Sequence, residues 1–419
     1  MATTSMTGQT TGEAIAQRID QLASISESAT GLTRLFLSAE HRNAAELLLT
    51  WMREAGMSAR TDAIGNVIGR YEGAKPDQPA LLLGSHFDTV RNAGKWDGPL
   101  GIITAIACVA ELNRQHKRLP FAVEVIGFAD EEGVRFASTL LGSRALAGTF
   151  DESALAGRDS DGVSLREALT GFGLDPQNIG TAARAPSDYL AYLELHIEQG
   201  PVLEAEGVPV GVVTAISGAT RLAVTLEGMA GHAGTVPMAM RRDALSGVAE
   251  CIVAIEKQCR DDPGLFGTVG TIRVEPGASN VIPGRCTFSI DMRSASDEHR
   301  QFAVKAAIGS IERIAGRRRL VPRIEIKHEG RTTPCAPWLQ AQISAAIARR
   351  GYRATALPSG AGHDGMAVAD LTDIGMIFVR CRGGVSHHPD EHVTLEDAAA
   401  GASVLLDVIE QFQPKTAAS

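Results

Sequence analysis

Residues 81–90 read LLLGSHFDTV, an apolar run that ends abruptly in an imidazole. A strand of this kind places its terminal polar group at the mouth of a sheet, where α/β proteins build their sites. Two further runs end the same way. One leads into FADEEG (128–133) with Glu132, and the other is LELHIEQG (193–200) with His196. Asp97 in GKWDGPLG (94–101) and His387 in GGVSHHPDEH (383–392) bring the potential metal ligands to five, in separate short motifs. Imidazoles with carboxylates suit Zn²⁺ or Mn²⁺, and a shared Asp allows two ions close together. The pattern points to a metallohydrolase.

Working outward, residues 13–27 and 40–56 have helical periodicity. In the second, Ala44, Leu47, Leu48, Trp51 and Met52 fall on one face, and Gly56 supplies the stop. Strand-like segments follow at 58–62, 66–70, 80–85 and 121–128, with an Ala/Ile-rich helix at 100–113. This alternation predicts an α/β domain, a mostly parallel sheet covered by helices.

A different module begins near Ser217. LAVTLEG (222–228) alternates as a strand, and 241–258 is a helix with Leu245, Val248, Ile252 and Ile255 on one stripe. GTVGTIRVEP (267–276) and GRCTFSIDMRS (284–294) read as two strands, 299–315 as a helix and VPRIEIKHE (321–329) as a strand. The order β-α-β-β-α-β is that of a ferredoxin-like α+β sandwich. After Pro334 the first pattern resumes, with a helix at 338–350, a strand GMIFVR (375–380) and a closing helix at 395–412. The expected organisation is a discontinuous α/β/α catalytic domain, 1–216 and 334–419, interrupted by an inserted domain, 217–333.

Composition narrows the function classes. The 419 residues suffice for two cores, and net charge is −9, from 40 basic and 49 acidic side chains. That argues against a nucleic-acid binder, and the Arg317–Arg319 run is too short to reverse it. No apolar run reaches the ~20 residues of a membrane span. The start, MATTSMTGQTTGEA, is polar and lacks the apolar core of a signal peptide. Six cysteines, at 108, 251, 259, 286, 335 and 381, show no CxxC spacing and read as reduced thiols of a cytoplasmic protein.

Each motif has a plainer reading beside the chemical one. His86 and Asp88 fall on one side of an extended segment, so Asp88 can hold the His86 ring behind a metal, or the two can merely satisfy a strand end. Asp97 precedes a helix and could be an N-cap, although its place shortly after His86 makes it a candidate bridging carboxylate. Adjacent carboxylates Glu131 and Glu132 at a buried strand end repel unless a cation compensates. One can ligate while the other takes a proton from water. Of His387 and His388, only one need be a ligand.

The set GSHFDTV, GKWDGPLG, DEEG, ELHIEQGP, GHAGTVPM, RRDAL, SNVIPG, DMR, SGAGHD and SHHPDE, in this order, resembles the hydantoinase/carbamoylase-type amidases. These are part of the dinuclear-metal aminoacylase and carboxypeptidase group, and the resemblance runs from about residue 13 to the end. His388 departs from it, standing where other residues are usual. The resemblance implies one divalent ion on His86 and His196, another on Glu132 and His387, Asp97 bridging, and Glu131 as general base. The ions implied are Zn²⁺ or Mn²⁺, with Co²⁺ or Ni²⁺ acceptable. It implies that His232 polarises the scissile carbonyl in the partner subunit's site, hence a homodimer whose inserted domain serves dimerisation and as a lid. Asn280 and Arg293 would bind a substrate carboxylate, with Arg221 and Gln199 lining the same pocket. Gly362 and His363 would form a wall near the metals, or His363 would only pack. The activity implied is hydrolysis of a C–N bond in a ureido acid, such as an N-carbamoyl-L-amino acid or allantoate, with release of ammonia. An aminoacylase or exopeptidase would share the metal set, but HIEQG and AGHAGT favour the ureido branch. A non-catalytic binding protein that kept the fold is a third reading, against which the complete ligand set and Glu131 speak.

Overall fold

The computed structural model describes residues 8–415. The chain forms two compact units: one from the residues up to Thr214 and from Cys335 onward, the other from Ala215–Pro334. Strands β1 (Ser58–Thr61), β2 (Val67–Tyr71), β3 (Ala80–His86), β4 (Ala122–Phe128), β5 (Tyr189–Ile197) and β6 (Val210–Ile216) come first. The inserted unit supplies β7 (Gly218–Glu227), β8 (Gly231–His232), β9 (Leu265–Thr268), β10 (Ile272–Glu275), β11 (Val281–Ile282), β12 (Arg285–Ser294), β13 (Val321–Gly330) and β14 (Thr333–Pro334). The chain then adds β15 (Thr355–Ser359) and β16 (Ile374–Val379).

The larger sheet has nine strands in the order β1-β2-β4-β3-β5-β16-β6-β14, with β15 also on β6. Its centre, β4-β3-β5-β16, pairs in parallel, and the flanking pairs are antiparallel. Every residue of β3, β4 and β16 is buried. Their largely apolar sequences fit that environment, since helices cover central parallel strands on both faces. The helix Pro99–Arg114 buries nearly its whole length, and Pro99 at its first turn costs no hydrogen bond. The helix Ala39–Glu54 starts where Ser38 Oγ accepts the His41 N–H, and buries Ala44, Leu48 and Met52 completely. The N-terminal helix, expected at 13–27, is Gly8–Ala23 instead. Ser26 Oγ accepts the N–H groups of Ser28 and Thr33, and this turn replaces the last helical residues.

The inserted unit has a five-stranded antiparallel sheet in the order β10-β12-β7-β13, with β9 also on β12. With helices Ala244–Asp261 and Asp297–Arg318 this is the ferredoxin-like arrangement. Along β7, Leu222, Val224 and Leu226 alternate inward and join Val248, Ile255 and Ile311 in a separate core. The single strand expected at 267–276 is two, β9 and β10, both against β12. They part at 269–271, where Ser289 Oγ accepts both the N–H and the hydroxyl of Thr271. Among the described residues no helix is long and apolar enough to cross a membrane.

Candidate active site

Sheet geometry puts two imidazoles side by side. His86 ends β3 and His196 lies one residue before the end of β5, with ring centroids 5.8 Å apart and both residues buried. Each ring is oriented from behind by a backbone carbonyl, which can only accept. His86 Nδ1 lies 3.1 Å from Asp88 O, and His196 Nδ1 lies 2.9 Å from Ile197 O. A proton on each Nδ1 leaves Nε2 as the ligating nitrogen. Both Nε2 atoms face Asp97 Oδ1, at 3.5 Å and 3.1 Å. His196 Nε2 is buried and makes no hydrogen bond, which is what a group aimed at a cation looks like.

The other oxygen of Asp97 faces a second group. Oδ2 lies 3.2 Å from His387 Nε2, and that nitrogen lies 3.5 Å from Glu132 Oε1. His86, Asp97 and His196 therefore converge within metal-binding range, and so do Asp97, Glu132 and His387, with Asp97 in both sets. Burial disfavours an ionised Asp97, yet the imidazoles of His196, His387 and His86 beside it hold its carboxyl well below the usual range. Two backbone features make the approach possible. Gly98 has φ +82°, and a side chain there would strike the His86 ring and carbonyl. His387 itself has φ +56°, uncommon for a residue with a side chain.

Glu131 and Glu132 follow β4, and their N–H groups bond to the two oxygens of Asp88, at 3.0 Å and 3.2 Å. Asp88 thus fixes the turn carrying both glutamates, while its carboxylate stays 3.5 Å from His86 Nδ1. Glu131 also joins a group with His86 and Glu132. Burial raises the Glu131 carboxyl well above its ordinary value, with Glu132, Asp364 and Asp88 adding to the rise and His86 opposing it. Burial pushes Glu132 up to about 7. Below them lie Asp130, Glu194 and Asp364, all buried; both oxygens of Asp364 lack a hydrogen bond. So many carboxylates in one interior region call for cationic compensation.

Other expected residues divide between the two units. Gln199 donates to Asp97 Oδ2 at 2.8 Å and to Ser386 Oγ at 3.0 Å. The His363 ring packs edge-on against His196 at 4.5 Å, and its Nε2 lies 2.7 Å from Ser359 Oγ. Gly362 lies beside Glu131; a Cβ there would be 3.6 Å from Oε1. His232, Asn280, Arg221 and Arg293 belong to the inserted unit. Pairing of β8 with β11 sets His232 opposite Val281, and Asn280 O accepts the Ala233 N–H. Arg221 and Arg293 both bond to Asp291, Arg293 through two nitrogens. Sequence reasoning did not single out Glu194, Asp364, Ser386 or Glu391. All four stand inside quoted motifs, ELHIEQGP, SGAGHD and SHHPDE, but the groups that give them a role are distant in sequence.

Residues 82–411 match peptidase family M20/M25/M40. Over 402 residues the chain is 43% identical to an N-carbamoyl-L-amino acid amidohydrolase of Geobacillus stearothermophilus, covering 96% of this chain and 98% of the relative. An allantoate deiminase of Arabidopsis thaliana is also 43% identical, over 95% of this chain and 82% of its own. A solved amidase of the hydantoinase/carbamoylase family from Burkholderia multivorans superposes with a TM-score of 0.89 at 33% identity, covering 95% and 97% of the two chains. The chain is a hydrolase that belongs to peptidase family M20/M25/M40, in its branch of hydantoinase/carbamoylase amidases.

Proposed function

We propose that this protein hydrolyses a C–N bond of a ureido acid, an N-carbamoyl-L-amino acid, allantoate or a relative of these, and releases ammonia. The observation that carries the reading is Asp97, whose two oxygens face His86 with His196 and His387 with Glu132. Two divalent ions, Zn²⁺ or Mn²⁺, would be held there, one on each set, with Asp97 shared; Co²⁺ and Ni²⁺ suit the same donors. When bound, such ions supply Lewis acidity, polarising a carbonyl oxygen and acidifying water. Glu131 takes the proton of the attacking water and returns it to the departing nitrogen. Its burial keeps proton affinity high enough for both acts. Asp88 and the Asp88 and Ile197 carbonyls hold Glu131, Glu132 and the two rings in place.

Residues 1–216 and 334–419 are the metal-binding catalytic domain in this reading, and 217–333 the dimerisation and lid domain of a cytoplasmic homodimer. His232 donates to the carbonyl oxygen of a substrate bound by the partner subunit as negative charge develops there. Asn280 and Arg293 of the inserted unit grip the substrate carboxylate, assisted by Arg221, while Gln199, Gly362 and His363 line the site near the metals. The relatives named above support the substrate class, and the planar fork of Arg293 suits a carboxylate. The deciding experiment offers allantoate, ureidoglycolate, N-carbamoyl-β-alanine and several N-carbamoyl-L-amino acids, and follows ammonia. Release from at least one supports the proposal. Cleavage of dipeptides or N-acyl amino acids, with no ammonia from any ureido acid, would move the assignment to an exopeptidase or aminoacylase. For the dimer, subunits carrying His232→Ala are mixed with subunits carrying Glu131→Gln. Activity returns on mixing if His232 serves the partner's site, and mixed dimers that stay inactive refute it.

A further inference from the structure

Glu391 is 3% exposed and has no part in the chemistry above, yet it holds the residue on which that chemistry turns. Its Oε1 accepts the N–H groups of Trp96, at 2.8 Å, and of Asp97, at 3.0 Å. Its Oε2 lies 3.1 Å from Ser386 Oγ, and the same hydroxyl lies 2.9 Å from Asp97 Oδ2. Gln199 Nε2 closes the circuit by donating both to Asp97 Oδ2 and to Ser386 Oγ. The main chain gives way to let Glu391 in: a Cβ on Gly94 would collide with Glu391 Cβ and Oε1.

We infer that Glu391 is a positioning residue for Asp97, fixing its main chain directly and its carboxylate through Ser386. A side-chain oxygen that accepts two successive N–H groups locks the local backbone, and leaving those buried donors unpaired is costly. The loop is then rigid before any ion arrives. The consequence is specific. Asp97 is common to both ligand sets, so releasing it weakens both metal positions together. A residue that only anchored the 383–392 segment would affect just the position that uses His387. The inference rests on the reading of Asp97 as a shared ligand.

The test uses holoenzyme carrying Zn²⁺ alone, equilibrated against rising concentrations of a chromophoric chelator, with circular dichroism to follow the fold. Glu391→Ala is expected to give up both equivalents of Zn²⁺ at chelator concentrations about 10-fold or more below wild type, the usual effect of removing an outer partner of a ligand. Glu391→Gln keeps an oxygen for the two N–H groups and stays close to wild type, a rescue that side-chain volume alone would not explain for Zn²⁺ retention. Gly94→Ala displaces the carboxylate from the opposite side and reproduces the two-equivalent loss, which decides the matter should Glu391→Ala fail to fold. His387→Ala loosens one equivalent only. Early release of a single equivalent from Glu391→Ala and Gly94→Ala, or unchanged release of both, overturns the inference. Should wild type hold fewer than two equivalents, or Asp97→Asn give up only one, the shared-ligand reading itself fails and the inference goes with it.

Discussion

Two aspartates, one in each unit, gather cationic or cation-seeking side chains, and they do so in opposite ways. Asp97 has three imidazoles around it, and its side chain is only 6% exposed. Asp291 has two guanidiniums, from Arg221 and Arg293, and its side chain is 28% exposed. Around Asp97, His86 and His196 are themselves held by carbonyls, and Ser386 by Glu391. Around Asp291 the two arginines are exposed or half-buried, and water can replace either partner at little cost. A buried, over-determined cluster is suited to holding ions in one geometry. A wetter cluster on a sheet surface can exchange one anion for another.

Substitutions in both units test that contrast, beginning with the most damaging. Asp97→Asn removes the shared charge and is expected to abolish turnover with loss of both metals. Exhaustive chelation of wild type does the same, and added Mn²⁺ or Zn²⁺ restores it; full activity in protein shown metal-free by elemental analysis would break the comparison at its root. Glu131→Gln is expected to cut kcat by at least ~10²-fold while metal content stays near normal. If that variant loses a metal and Glu132→Gln keeps both, the roles of the pair are reversed. Arg293→Lys replaces a planar fork by a point charge and is expected to raise KM by about 10-fold or more, with a much smaller change in kcat. Unchanged KM for every ureido acid cleaved would place carboxylate binding elsewhere.

The smallest effect belongs to Asp291→Asn, with a stability cost below ~1 kcal/mol because the ion pairs are partly wet. Burial disfavours its charge, but Arg293 and Arg221 outweigh burial and hold the carboxyl below the ordinary range. A carboxyl depressed on folding stabilises above its unfolded pKa, and that stability fades as pH falls through the folded value. Wild type and Asp291→Asn should therefore differ most near neutrality and converge in acid. A gap that widens on acidification would show that the arginines do not control Asp291.

Much of this contrast could be read in the chain before it was folded. His86, Glu132 and His196 announce themselves because each follows a mainly apolar, strand-like run, and such runs fill β3, β4 and β5. The inserted sheet was equally legible in β7, where inward and outward residues alternate. The strand β6 was not, because VGVVTAI runs almost directly into β7 with only Ser217 between them. The role of Glu391 was hidden for a different reason. Its acceptors and donors are 294 and 295 residues apart in sequence, and only the docking of the 383–392 segment against 94–97 joins them. Gln199 was expected to line a substrate pocket, and no local pattern indicated that its amide would lie on Asp97.

That separation sets a timetable for biosynthesis. At ~5–20 residues per second, Asp97 leaves the ribosome roughly 15–60 s before Glu391. By the later part of that interval the nascent chain displays His86, Asp97, Glu131 and Glu132 without His387 and with no Glu391 to seat the loop. On the proposed site, filling of the second position would then mark completed translation: a chain interrupted before residue 383 carries the donors of the first position, His86, Asp97 and His196, but has nothing with which to close the second.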